Sequence, residues 1–235
     1  MITIFKKELK VYFSSLLGYV LMFVFLLLAG TFFWGYFLAG AQASSDFSAF
    51  FADINTALLF IIPILTFRTL VEDKKLGTYE LLLTSPVTAW DIVLGKFLAA
   101  FAFVMLAATL VLIFPLAISF ITTVEWGAVL AGWLGIFFSA AFFIAIGMFA
   151  SSLTDNYVIA GLIALMLSVL MLVLSFFGNS QNPQLSAFFQ SISYASHYQQ
   201  FAQGLIRAKD FLYFAIGIFL WLFLAKSIVE SRTWK

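Results

Sequence analysis

Six times between Leu16 and Val229 the sequence runs for about twenty residues with almost no charged side chain. A helix rising 1.5 Å per residue needs about 20 apolar residues to cross roughly 30 Å of hydrocarbon. The runs fall at about 16–39, 54–70, 97–121, 127–150, 157–177 and 211–229. Only 10% of the 235 residues are charged and 64% are apolar, whereas soluble domains are about 25% charged. These runs predict an all-α integral membrane protein, with six transmembrane helices in a single transmembrane domain over 1–235.

The second run is the weakest, because Asn55, Thr56, Thr66 and Arg68 dilute it and Pro63 interrupts it. Without it the two termini would lie on opposite sides of the membrane. Charge bias decides in favour of six. With both termini inside, Lys6, Lys7, Lys10, Arg68, Lys74, Lys75, Lys96, Lys226, Arg232 and Lys235 are cytoplasmic, ten of the twelve basic residues. Arg207 and Lys209 fall outside, and the outer loops around Asp46, Asp53 and Glu125 hold no Lys or Arg. That distribution satisfies the positive-inside rule. Ala41-Gln42-Ala43 resembles a signal-peptidase site. The run before it is too long for a cleavable apolar region of about 7–15 residues, so the first span is expected to be retained.

Residues 1–15 read as an amphipathic helix at the inner interface. Ile2, Phe5, Leu9, Tyr12 and Phe13 recur at spacings of three and four, with Lys6, Lys7, Glu8 and Lys10 on other faces. Spans one to five then occupy 16–177, with a cytoplasmic loop at 71–96. Gly127, Ala131, Gly135 and Ser139 recur every four residues, which lets helix backbones approach closely within the bundle or at a dimer seam. Pro63 and Pro115 each free a backbone carbonyl and bend their helices, as static kinks or as hinges. The outer loop 178–210 opens on the turn-rich Gly178-Asn179-Ser180-Gln181-Asn182-Pro183. One or two short helices are expected after it, before the sixth span and cytoplasmic tail at 211–235.

Catalytic chemistry is missing from the sequence. There is no GxxxxGK[ST] phosphate loop, no HExxH and no cysteine, so neither nucleotide, zinc nor thiolate chemistry is expected of this chain. The one histidine, His197, reads as a surface or packing residue in the outer loop. A net charge of +1 gives no reason to expect nucleic acid as a partner. The apolar spans carry no ionisable group near mid-bilayer, which argues against an ion-coupled carrier and for an outside source of energy.

The stretch 68–97 is the exception. It carries Arg68, Glu72, Asp73, Lys74, Lys75, Glu80, Asp91 and Lys96, eight of 23 charged side chains. Physically, Gly77-Thr78 ends one helical segment and starts another, with Thr78 as N-cap and Glu80 in the first turn. Leu81, Leu82 and Leu83 add an apolar docking surface, and Pro86-Val87-Thr88 leads into the third span. Arg68 and Glu72 are within reach of an ion pair.

With Pro63, Thr66, Arg68, Glu72-Asp73-Lys74-Lys75, Gly77-Thr78, Glu80, Leu82-Leu83, Pro86-Val87 and Gly95-Lys96, the block resembles the permease subunits of type-2 ABC exporters. The short chain also resembles the gliding-motility-type permeases, through Ser151-Ser152-Leu153-Thr154-Asp155-Asn156 and the run from His197 through Gly204 to Asp210. It departs from that pattern at Ile206-Arg207, where an Ile-Asp pair is expected.

The resemblance implies a non-catalytic subunit in a bacterial cytoplasmic (inner) membrane. Two membrane subunits, two copies or this chain with a relative, would work with two cytoplasmic ATPases that hold ATP and Mg. The chain itself would bind no cofactor or metal. The ATPase-coupling residues would be Glu72, Asp73, Lys74, Lys75, Gly77, Thr78, Glu80, Leu82, Leu83, Pro86 and Val87, in a coupling helix between spans two and three. Export of a lipid-like or amphiphilic substrate is the leading expectation. The alternative is a mechanotransducing or scaffolding subunit in gliding or envelope machinery, working on an extracytoplasmic auxiliary protein and exporting nothing.

Overall fold

Backbone polar groups surrounded by hydrocarbon have to be satisfied within their own segment, and the described residues accordingly form helices and turns alone. The computed structural model describes residues 1–38, 46–75, 77, 88–179 and 183–231. Its helices are α1 (Ile2–Ser14), α2 (Leu16–Phe33), α3 (Ser48–Thr66), α4 (Val71–Lys75), α5 (Ala89–Leu110) and α6 (Ile113–Ile118). They continue as α7 (Trp126–Leu153), α8 (Tyr157–Val173), α9 (Pro183–Ile192), α10 (Tyr194–Ala202) and α11 (Ala208–Ser231). A π-helical turn, Trp34–Leu38, extends α2, and a 3-10 turn, Phe176–Asn179, follows α8.

Six segments are long and apolar enough to cross a membrane: Leu16–Phe37, Ser48–Lys75, Ala89–Ile118, Trp126–Leu153, Tyr157–Gly178 and Ala208–Ser231. The fourth is 72% buried and the second 61%, whereas the first, fifth and sixth are about one-fifth buried. The core is therefore α3, α5 and α7, with the other spans around it.

Two span boundaries differ from the sequence expectation. The second span runs from Ser48 to Lys75 and the third starts at Ala89, against about 54–70 and 97. Asp91 closes a capping box with Thr88, its backbone N–H meeting Thr88 Oγ1 at 3.2 Å. Such a box starts a helix whatever its charge. Asp73 and Lys96 neutralise each other inside the protein, so neither ends a helix.

The prolines act differently. Pro63 lies inside an unbroken α3. Pro115 clashes with, and cannot donate to, the carbonyl four residues back, and the third span indeed breaks into a turn at Val111–Leu112.

Helix α1 buries Ile4, Glu8 and Tyr12. The sequence reading set Glu8 apart from the apolar face; the structure turns it inward, because a buried cation waits for it on α5.

Helix α10 sits among the spans, with Tyr194, Tyr198 and Phe201 buried. A Cβ on Gly135 would lie 2.7 Å from Phe201 Cβ, and one on Gly132 would lie 2.6 Å from the Phe51 ring. Ala131 and Ser139 are buried on the same helix. Gly127 has open space where its Cβ would be, so it takes no part in this close approach.

Candidate functional site

The segment leading into the charged loop is fixed by three lysines. Lys96, only 1% exposed, lies in α5, where apolar neighbours leave no water for its ammonium group. Its Nζ donates to Glu8 Oε1 of α1 at 2.8 Å and to the Thr69 carbonyl at 2.8 Å, and pairs with Asp73 Oδ2 of α4 at 2.7 Å. Three acceptors use up the three protons of an ammonium. A charge taken out of water is tolerable only when paired and hydrogen-bonded, so these contacts lock α1, α4 and α5 together.

Beside this knot Arg68 donates from Nη1 to Ser15 Oγ at 2.9 Å, and its guanidinium carbon lies 5.5 Å from the Tyr12 ring centroid. Burial pushes the Tyr12 phenol above its ordinary value; Glu8 adds to the shift, while Thr69, Lys96 and Arg68 oppose it. The ion pair expected between Arg68 and Glu72 does not form among the described residues. Arg68 is drawn toward α1 instead, and Glu72 N–H only closes the helical turn onto the Arg68 carbonyl at 2.9 Å.

The next residue fixes the opposite side. Lys74 Nζ donates to the carbonyls of Ser151, Ser152 and Thr154 at 3.2, 2.8 and 3.0 Å, and Asp155 Oδ1 lies 3.4 Å away. Those carbonyls are the unsatisfied C-terminal groups of α7, where a cation also meets the negative end of the helix dipole. Lys75 Nζ stands 4.1 Å over the Tyr157 ring at the start of α8. Gly77 then takes φ +68°, the left-handed conformation that ends a helix at little cost only for glycine.

The structure therefore brings Asp73, Lys74 and Lys75 together at one end of the bundle, with Glu72 partly exposed beside them. Thr78, Glu80, Leu82, Leu83, Pro86 and Val87 lie outside the described residues. Glu8 and Lys96 complete the cluster, and the sequence reading did not place them in the site. The available signal was Lys96 itself: a lone cation within a long apolar helix has to find a partner.

A second polar group lies deeper in the bundle. Ser139 donates to Asn55 Oδ1, which leaves the Tyr194 hydroxyl to donate to Ser139 Oγ at 2.5 Å. Tyr198 donates to the Phe51 carbonyl at 2.7 Å. Nearby, His197 stacks on Tyr213 with centroids 4.2 Å apart, and its Nδ1 lies 2.6 Å from Asp210 Oδ1. Its Nε2 faces the Ser191 carbonyl at 3.1 Å, so both ring nitrogens meet acceptors. His197 is thus a packing residue, as expected, held by a fully buried acid.

Among the described residues no cluster of His, Cys, Asp or Glu could hold a metal ion.

This layout of six spans, a charged turn after the second and a short helix inserted before the sixth has a counterpart among known families. A family model described as ABC-2 family transporter protein matches residues 2–229. The chain belongs to that family. This ABC-2 family protein is a multi-pass membrane protein, and membership carries an association with ABC ATPase subunits. No curated protein matches it.

Proposed function

We propose that this ABC-2 family protein is the export permease of an ATP-driven transporter and that the segment from Glu72 to Val87 is its docking element. Separate ATPases in the cytoplasm bind ATP and Mg, hydrolyse ATP and move that segment. The chain itself is non-catalytic, lies in a bacterial inner membrane with both termini inside, and pairs with a second copy or a related membrane subunit. Pro63 and Pro115 are its hinge candidates, and a lipid-like or amphiphilic substrate suits its Phe-rich spans.

One observation carries this reading. Asp73 and Lys74 are adjacent, and they bind opposite sides of the bundle, Asp73 through Lys96 to α1 and α5, Lys74 to the end of α7. A push delivered beyond Gly77 therefore reaches α1, α5 and α7 together. A surface loop fixed only at its ends would absorb the same push.

The test is a mild-detergent pull-down of the tagged chain with mass spectrometry and ATPase assay. The reading expects a soluble ATPase to co-purify, and expects Glu80→Ala with Gly77→Val to lose it while membrane insertion stays intact. No ATPase under conditions that preserve other such complexes would remove the docking assignment.

The gliding-motility-type resemblance favours a second reading, an ATPase-driven mechanotransducing subunit. The amphipathic α9 supports it, since Leu185, Phe188 and Ile192 are exposed at spacings of three and four. Export predicts that a null strain accumulates a solute. The mechanical reading predicts no such solute and co-purification of an extracytoplasmic protein.

A further inference from the structure

Between α1, α5 and α7 lies a groove of about 740 Å³. Phe5, Phe101, Ala102, Met105 and Phe137 form much of its wall, and Ile2, Leu106 and Leu110 on its rim are exposed at 66%, 42% and 47%. It is therefore open on the flank of the bundle, where a membrane protein meets lipid. Of its polar side chains, Thr109 is satisfied by the Met105 carbonyl at 2.7 Å, and Trp133 contributes an indole whose N–H is buried with no partner among the described residues.

Length and width restrict the occupant. From Leu98 to Leu110 the groove follows α5 for thirteen residues, about 18 Å over the twelve rises between them, close to the roughly 15 Å of hydrocarbon in one leaflet. Dividing about 740 Å³ by that length leaves a mean cross-section of about 40 Å². An extended hydrocarbon chain fits that cross-section and that length.

Charge marks which end is the mouth. Leu98 is two residues beyond Lys96, on the side where α1 lies. On α1, Lys6 adjoins Phe5 and follows Ile2 by one helical turn, so it stands beside the opening. Lys6, Lys7 and Lys10 are exposed, and none has an ion pair among the described residues. The acids nearby are engaged, Glu8 with Lys96 and Asp91 with the amino group of Met1. The mouth is left positive.

We propose that this groove holds one acyl chain of an anionic glycerophospholipid from the leaflet on the α1 side, with its headgroup at Lys6. The site needs no ATPase, so its fate and that of the docking segment are separable.

The test is native mass spectrometry of the purified protein in neutral detergent, titrated with phosphatidylglycerol or phosphatidylcholine of the same chains. Ala102→Trp fills the groove and is expected to lower lipid occupancy about tenfold. Leu162→Trp, on an exposed face of α8, adds the same bulk elsewhere and is expected to leave occupancy unchanged. Lys6→Gln is expected to reduce the preference for phosphatidylglycerol about fivefold, the usual electrostatic contribution of one lysine at a membrane surface. If Ala102→Trp does not fold, Leu106→Trp at the rim makes the same test. Lipid retained as well by the filled groove as by the wild type overturns the proposal. So does a loss of dimer mass in Ala102→Trp at unchanged lipid occupancy, which would make the groove a seam between two copies. An equal affinity for the two lipids, or one that Lys6→Gln leaves untouched, overturns the headgroup assignment.

Discussion

The two ends of this bundle bury polar groups by opposite means. At the α1 end the groups are charged: Lys96 is held by Glu8, Asp73 and the Thr69 carbonyl, and Lys74 by the last carbonyls of α7. Toward α10 they are largely neutral, with Ser139 between Asn55 and Tyr194, packed where Gly132 and Gly135 let aromatic rings approach the α7 backbone. The difference is one of reach and stiffness. A lysine side chain spans the gap between helices and fixes them by strong, directional bonds. Small residues bring backbones together through many weak contacts, and such a surface can slide. Under the proposed function, the charged end is where force enters and the close-packed end is where helices shift against each other.

The largest expected effect tests the charged end. Lys96→Met takes the shared ammonium away from the buried Glu8 and Asp73 carboxylates and should lower stability by about 3–5 kcal/mol, read from denaturation in detergent. Adding Glu8→Gln and Asp73→Asn should restore most of it. A single variant as stable as the wild type would show that these acids are solvated and that the knot does not hold the helices.

Overpacking tests the other end. Gly135→Val should cost about 1–3 kcal/mol by pushing Phe201 and Tyr198 away, while Gly127→Val, with open space around it, should stay within about 0.5 kcal/mol. Equal effects would mean that α10 does not pack as described. Smaller still, Lys74→Met should cost about 1–2 kcal/mol through the lost cap on α7, and should reduce ATPase stimulation by the permease more than it reduces stability. A loss confined to stability would separate the cap from coupling.

The hydrogen bonds of the neutral end should matter least. Tyr194→Phe and Ser139→Ala should each cost about 0.6 kcal/mol, the usual value of such bonds between membrane helices, and a double-mutant cycle should show them coupled. Burial also raises the phenols of Tyr194 and Tyr198 above their ordinary value, with Ser139 and Asn55 opposing the shift at Tyr194. A folded-state value above the unfolded one means that their contribution is complete below about pH 10. It should fall as the pH climbs beyond that, so alkaline unfolding should set in at lower pH in the wild type than in a Tyr194→Phe, Tyr198→Phe variant. Unfolding at the same pH in both would argue that these rings are wet.

Much of the fold was legible in the chain because crossing hydrocarbon imposes a length and a composition, and both can be read residue by residue. The spans beginning near Trp126 and Tyr157 are found where the apolar runs start, since Asn156 accepts from Val158 N–H at 2.9 Å and starts α8 locally. The boundaries around 68–97 were misplaced for one reason: a charge was read as a boundary. Lys96 and Asp73 cancel across elements 23 residues apart, and no local window contains both. Glu8 was set on the polar face because its neighbours are lysines, while its partner lies on α5. The small-residue stripe was visible as a period of four, yet only the packing of α10 separates Gly135, which is in contact, from Gly127, which is not.

The sequence by itself determined that the chain is helical, crosses the membrane six times and concentrates its charge after the second span, because those properties follow from local hydrophobicity and from basic residues counted side by side. The tertiary structure alone decided which charges face one another, that α10 enters the bundle, and that His197 meets Asp210. Pairing energy depends on distance in space, and residues 8, 69 and 73 come within 3 Å of the Lys96 ammonium only after three helices have packed.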